Sequence, residues 1–408
     1  MTDLAPDPAP AARPGRAAVL VLGGGTRLPA ALRGHGRHVV YFGTPEEFTP
    51  AHHEACDEAW LLSGGSEDAW VRRAVALHRE VPFQQVVTVR ERFLVAAARI
   101  TDALGLGGNS LDTVRTLKDK ALMRESLRAL SGEGGVRAGL MRTGADVDAF
   151  AAESGLPLVL KPRDGSGSEG VLVARGEEDL AAARARVERE PGALLAEEFL
   201  DGPEFSVETF SRAGIHEVLA VTEKFTDSRR VEIGHVVPAR VDEERRAALA
   251  DAACRFLEAV GLAEGPAHTE IILTAAGPRV VESHNRPGGD GIVDLVRHVT
   301  GRDVRDLLAA RIAGVDVAPA SGRAGAAATW FMTADPGVVA EVTGLETAAG
   351  HEGVVGVSCD VERGDEVRPT ASSGDRCGSV TALGGTADEA LARARAAAAA
   401  VVIRREEA

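Results

Sequence analysis

Short apolar runs open the chain, and between them apolar positions recur every three or four residues. AAVLVLGGG at 17–25, RHVVYFG at 37–43 and QQVVTV at 84–89 are too short for buried helices and end in turn residues, the pattern of strands. Helical spacing over 66–80 and 90–104 places helices between them, and this alternation predicts a parallel α/β layer over 17–112. The stretch DTVRTLKDKALMRESLRAL at 112–130 has an Asp at its N-cap and apolar residues at helical spacing, which predicts one helix. Further helices are expected near 143–155, 176–189, 241–261, within 288–315 and at 386–400. LPLVLKP and GVLVA predict strands flanking the glycine-rich loop DGSGSEG at 164–170. ALLAEEFLDGPEFSVETF gives two strands around a Gly-Pro turn, HTEIILTAAGPRVVES a hairpin, and AAATWFM, GVVGVSCDV and GSVTAL antiparallel strands near the C-terminus. No internal repeat is present, and residues 1–16 read as a disordered Pro/Ala tail.

Composition narrows the partners more than the fold. With 408 residues the chain exceeds one core, so several packed units are expected. A net charge of −15 without long basic runs argues against nucleic acid and anionic lipid. No apolar run reaches the ~18 residues of a membrane span. Cysteines 56, 254, 359 and 377 are far apart without a CxxC pair, which suits buried thiols in a reducing cytoplasm. Gly23, Gly24 and Gly25 do not match GxGxxG and are read as a tight strand-to-helix turn rather than a nicotinamide or flavin site.

Lysine usage is the strongest chemical hint. Of 46 basic residues only four are lysines, at 118, 120, 161 and 224, three of them within 44 residues around the glycine-rich loop. Lys is a compact point charge on a thin stem where Arg is a broad fork, so the difference matters most in a narrow phosphate site. DGSGSEG, with Ser166, Gly167 and Ser168, can present backbone N–H groups to an anion beside Lys161, though it lacks the ending of a Walker A loop. Downstream, Glu197, Glu198 and Glu204 could accept hydrogen bonds from an adenine amine and ribose hydroxyls. Glu270 and Glu282 lie on neighbouring arms of the predicted hairpin, the oxygen ligands a hard Mg²⁺ ion takes. His284, Asn285 and Arg286 follow, and Arg286 could stabilise a transferring phosphoryl group or an oxyanion.

In order and spacing these parts resemble the ATP-grasp superfamily over roughly residues 113–320, with a preceding α/β domain at 17–112 of the kind such ligases carry. The resemblance implies a mixed α/β and α+β fold: the N-terminal domain, an ATP-grasp domain with a lid subdomain at about 135–200, and a C-terminal α+β segment at 321–408 that completes the grasp. It implies that Lys120 and Lys161 bind ATP, that Glu197, Glu198, Phe199 and Leu200 form the adenine hinge, and that Glu204 binds ribose. Lys224 matches a third lysine near the terminal phosphate. Glu270 and Glu282 match Mg²⁺ carboxylates for two ions, and the third ligand is either Asn285 or His284, because the family's E-x-N-x-R is written here E-S-H-N-R. RRVEIGHVVPA, GPAHTEI, ESHNRPGGD and DRCGSVTALGGTADEA look more closely like the L-amino acid ligase branch of carboxylate-amine ligases. Glu232, His235, His268, His284, Arg286, Gly288 and Gly289 then become candidates for the substrate pockets, with Arg286, Lys161 and Lys224 catalytic.

That branch implies an ADP-forming ligase joining small-molecule carboxylate and amine substrates through an acylphosphate, with homodimerisation common. The alternatives are an ATP-grasp carboxylase or phosphotransferase with another acceptor, and a nucleotide-binding module without turnover.

Overall fold

The computed structural model describes residues 16–64, 66–131, 135–165, 167–228, 230–317 and 321–406. The expected tail, apart from Arg16, and Ser166 of the loop lie outside the described residues.

The N-terminal α/β layer is a four-stranded sheet in the order Glu58–Leu61, His38–Gly43, Ala18–Leu22, Phe83–Val87, with every pairing parallel. Unbroken burial along Ala18–Leu22 and His38–Gly43 gives it two apolar faces, as a covered parallel sheet requires. Leu20, Leu22 and Phe42 pack on Trp70 and Ile100. Val19, Val21 and Tyr41 pack instead on helix Arg27–Gly34 and on Leu307 and Leu308 of helix Val304–Ala313, so the layer is docked to the rest of the molecule through apolar burial. The turn after the first strand must be glycine: Gly23 has φ +60, and a β-carbon there would lie 2.4 Å from the Phe93 ring.

The central sheet has eight strands in the order Gly277–His284, Gly265–Thr274, Glu204–Arg212, Ile215–Thr226, Glu232–Val237, Ala326–Met332, Gly378–Gly384, Val354–Cys359. Its last three strands come from the C-terminal segment, which therefore continues the sheet rather than standing apart. Helix Glu243–Ala259 covers one face, with Leu249, Phe256 and Leu257 against Phe205, Val207, Val221 and Ile271. Across from the central sheet stands a four-stranded lid sheet in the order Ala138–Met141, Leu194–Glu198, Leu158–Pro162, Leu172–Ala174. DGSGSEG lies between Leu158–Pro162 and Leu172–Ala174, which pair antiparallel as the hairpin reading expects.

Two expected helices are each divided. The stretch 112–130 forms Leu111–Lys118 and Lys120–Ser131, because Asp119 is extended and its carboxylate accepts from the Ala121 N–H at 2.9 Å, starting a new helix as an N-cap does. The stretch 288–315 forms Ile292–Thr300 and Val304–Ala313, separated by left-handed Gly301 and the N-cap Asp303. Strands Ile215–Thr226 and Glu232–Val237 have no counterpart in the sequence reading. Their inward residues include buried Thr222, Lys224 and Glu232, so the usual apolar-in alternation is absent where the sheet faces a polar site.

Candidate active site

The lid sheet and the central sheet face each other across a pocket that gathers most of the residues expected to bind ATP. Lys120, Lys161, Gly167, Ser168, Glu197, Glu198, Phe199, Leu200, Glu204, Glu232, Glu270 and Glu282 all line it.

Lys161 sits at the end of strand Leu158–Pro162 with its ammonium 2.8 Å from Glu197. Glu197 is buried and also grips Arg124, whose Nε and Nη2 donate to its two oxygens at 2.6 and 3.0 Å. Arg124 thus takes the carboxylate as a planar fork, and Lys161 adds a compact ammonium to the same group. Burial opposes ionisation of Glu197, but the two cations override it and hold the group at about 2. Burial pulls the Lys161 pKa below its ordinary value; Glu197 opposes this, and the Arg124 charge beside it adds to the lowering. Two cations on one anion leave positive charge in surplus at this end of the pocket.

Arg124 does a second job that the sequence reading missed. Strand Gly277–His284 pairs with Gly265–Thr274 in a register that shifts between Glu270 and Ile271, so Glu270 faces Glu282 while Ile271 faces Val280. This bulge puts Val280 toward the helix-backed core and Glu282 toward the pocket although they are two residues apart. Arg124 donates to the carbonyls of Val280 at 2.6 Å and Val281 at 3.0 Å, satisfying the bulge's backbone. The signal that could have found it is i, i+4 spacing: Arg124 shares a helix face with Lys120.

The other end of the pocket is acidic. Lys120 lies 2.9 Å from Glu282 and donates to the Gly165 carbonyl at 2.8 Å; burial works against its charge and Glu282 overrides it, raising its pKa. Lys224 is enclosed by Glu270, Glu204 at 3.0 Å and Glu232 at 3.2 Å, which outweigh burial and hold its ammonium firmly protonated. Three carboxylates around one ammonium leave negative charge in surplus, and their oxygens come within 4.8 Å of one another. Burial and the like charges of Glu270 and Glu232 raise the Glu204 pKa, whereas Lys224 and His268 bring Glu270 to about 2 against burial. Hard oxygen donors kept ionised in a buried site fit Mg²⁺ at Glu270 and Glu282.

Several expected roles change. The Glu197 carboxylate is consumed by Arg124 and Lys161, and that of Glu198 by Arg137, whose backbone N–H donates at 3.0 Å; neither is free for an adenine amine. His284 stays on the face of Glu282, but its Nε2 lies 3.2 Å from Glu282 and its Nδ1 3.1 Å from Glu91. Against burial, those carboxylates raise its pKa, and its place between Glu282 and Glu91 lets it orient Glu282. Asn285 is not brought to the cluster at all: it lines a separate cavity with Thr88, Leu94 and Leu308, because its side chain projects opposite to that of His284. Arg286, Gly288 and Gly289 line a neighbouring cleft, where Arg286 donates to Glu91 at 2.7 Å. His268 is held by Glu208 at 2.8 Å and lies 3.2 Å from Glu270. Gly288 must be glycine, since a β-carbon there would lie 2.9 Å from the His268 Nδ1.

The glycine-rich loop is drawn down over the pocket. Gly167 accepts from the Ser373 N–H at 3.1 Å, Ser168 Oγ donates to the Arg230 carbonyl at 2.8 Å, and Ser373 Oγ donates to Glu232 at 2.7 Å. The turn around Ser373 is itself anchored by Arg376, which lies over the Phe331 ring and binds Asp290 at 2.7 and 3.1 Å. His235, 3.9 Å from Asp290, is fully buried, and burial keeps its imidazole neutral at ordinary pH.

Burial raises the Asp290 pKa, but Arg376, hydrogen-bonded to both carboxylate oxygens, outweighs it and holds the carboxyl below its ordinary range. A depressed carboxylate contributes stability above its unfolded pKa and loses it as pH falls. Asp290→Asn should therefore lose about 1–3 kcal/mol at pH 7, and the gap to the native protein should close as pH falls below about 4. Urea denaturation across that range checks it; Asn suits the left-handed backbone at 290, φ 54, so the comparison isolates the charge.

Comparison with known proteins agrees with this geometry. Family models match residues 30–108 as an ATP-grasp N-terminal domain, 154–294 as an ATP-grasp domain and 330–406 as L-amino acid ligase C-terminal domain 2. Alanine–anticapsin ligase of Bacillus subtilis is 26% identical over 267 residues, covering 59% of this chain and 56% of that protein. Human carnosine synthase 1 is 28% identical over 56% of this chain and 30% of its own length. The chain thus spans about half or less of these curated relatives. A crystal structure of L-amino acid ligase from Bacillus licheniformis superposes with a TM-score of 0.80 at 24% identity, covering 96% of this chain and 99% of that one. The biotin carboxylase domain dimer of Hydrogenobacter thermophilus 2-oxoglutarate carboxylase, in complex with MgADP, ADP and bicarbonate, gives 0.71 at 20% identity over 95% and 90%.

Proposed function

Because this chain belongs to the ATP-grasp superfamily and carries the C-terminal domain of L-amino acid ligases, we propose that it is an ADP-forming carboxylate-amine ligase. One observation carries the reading. A single pocket sets Lys161, whose partner Glu197 is already bound by Arg124, against surplus negative charge at Glu204, Glu232 and Glu270. The first end suits phosphate, the second a divalent cation and ribose hydroxyls.

Adenine would lie between the strands of lid and central sheet, against Val159, Phe199, Leu200 and Ile272, with specificity coming from backbone groups since the Glu197 and Glu198 carboxylates are engaged. Lys120 and Lys161 would hold the phosphates. Glu270 and Glu282 would hold Mg²⁺, two ions in our reading, which when bound neutralises charge on the transferring phosphoryl group. The substrate carboxylate attacks the γ-phosphorus and the bond to the ADP oxygen breaks, giving an acylphosphate. The amine then attacks the acyl carbon, phosphate leaves, and the amide remains after the amine loses a proton. His284 keeps Glu282 aimed inward, and the loop over Lys120 excludes water from the acylphosphate. His268, fixed by Glu208, and Lys224 position Glu270 rather than react.

ADP and phosphate release tests the reading. Release should require a carboxylate and an amine together. Release driven by bicarbonate without amine would transfer the protein to the carboxylases, and tight ATP binding without release to the nucleotide-binding modules. Among the described residues no helix is long and apolar enough to cross a membrane; the cytoplasm is the place we propose, which four unpaired cysteines suit. A homodimer is the assembly we expect, with sedimentation as the measurement.

A further inference from the structure

Beside the nucleotide pocket lies an open cleft of about 670 Å³ between the Gly24–Gly25 turn, segment 89–92 and the loop 286–289. Five of its fifteen lining residues are arginines, at 27, 90, 92, 286 and 305, and only Glu91 is acidic. In a protein of net charge −15 such a lining runs against the average, and its charges are unevenly compensated. Arg27 and Arg305 on one wall are matched by Asp303, Asp306 and Asp294. At the outer rim, Arg90 and Arg92 share the single carboxylate of Glu47, and their side chains stay 53% and 49% exposed. At the inner end, Glu91 alone serves Arg286 at 2.7 Å and Lys118 at 3.1 Å, and it also lies 3.1 Å from His284, which it shares with Glu282. Positive charge is therefore in excess at two separated places along one cleft. The inner place adjoins the reaction centre, because His284 also lies 3.2 Å from Glu282. Helix Arg27–Gly34 begins along the same wall and adds a weak attraction for anions.

We propose that this cleft holds the substrate whose carboxylate is activated, and that this substrate carries a second anionic group, a carboxylate or a phosphate, bound by Arg90 and Arg92. The inference rests on the ligase reading for the first group and on the rim arginines for the second. The reacting carboxylate lies by Arg286, and the distal anion binds guanidinium forks that have one carboxylate between them. A neutral side chain would leave that surplus charge unanswered.

The test compares matched acids with a pool of amines and MgATP: aspartate with asparagine, glutamate with glutamine, O-phosphoserine with serine. ADP release should favour the charged member by tenfold or more in kcat/KM, with the aspartate and phosphoserine arms separating carboxylate from phosphate. The double variant Arg90→Gln/Arg92→Gln should abolish that preference while leaving the Kd for ADP as in the native protein. Calorimetric binding of the same acids to the MgADP-loaded protein reads the site without turnover. Arg90- and Arg92-dependent binding of the charged acids with no ADP release from any pair would keep the site and remove the ligase reading. Neutral members that bind or react as well as the charged ones, or charged acids that do not bind, would overturn the proposal and leave the ligase reading standing.

Discussion

Replacing Arg124 with leucine is expected to cost about 3–5 kcal/mol of folding stability, the scale for breaking a buried ion pair by removing one partner. The change leaves Glu197 with Lys161 as its one cation and strips the donors from the carbonyls of Val280 and Val281. Two distant elements, the lid strand Leu194–Glu198 and the bulged strand Gly277–His284, then lose the side chain that ties them together. Lys161→Met should cost less stability, because Arg124 still bridges both oxygens of Glu197, yet it should raise the KM for ATP steeply. Arg124→Lys should fall between, since an ammonium cannot reach carboxylate and two carbonyls at once. Urea midpoints followed by circular dichroism rank the three; an Arg124→Leu midpoint equal to that of the native protein would show that the bulge holds without it.

Glu282→Gln is expected to lower turnover by two to three orders of magnitude while the fold survives, the scale of losing one preorganised charge contact to the transition state. Glutamine fills the same space and still accepts from Lys120, so the packing around it persists. What it removes is the anionic oxygen opposite Glu270. Affinity for ADP should also lose most of its dependence on Mg²⁺, a binding readout separate from turnover. ADP release within tenfold of native would take Glu282 out of the metal set.

The pocket's membership was largely legible in the sequence because lysine is rare in it and the acidic residues fall on runs that read as neighbouring strands. Lys120, Lys161, Glu204, Glu270 and Glu282 could be singled out from residue type and spacing, and the structure gathers them. Their partners were not legible. Which carboxylate answers which cation depends on contacts between residues far apart in the chain, as with Arg124 and Glu197, Glu91 and Arg286, or Asp290 and Arg376. Nor could alternation alone have put Val280 in the core and Glu282 in the pocket, because the irregularity between them resets which face each residue takes.

By itself, then, the sequence determined much of the strand–helix order, the net negative charge and the kinds of side chain available for chemistry, since these follow from local pattern and composition. Only the tertiary structure decided the division of labour: Glu197 anchors cations, His284 bridges two carboxylates, and the arginines of four separate segments line one cleft. Electrostatic roles are set by distance and burial in three dimensions, and neither is a property of any residue's neighbours along the chain.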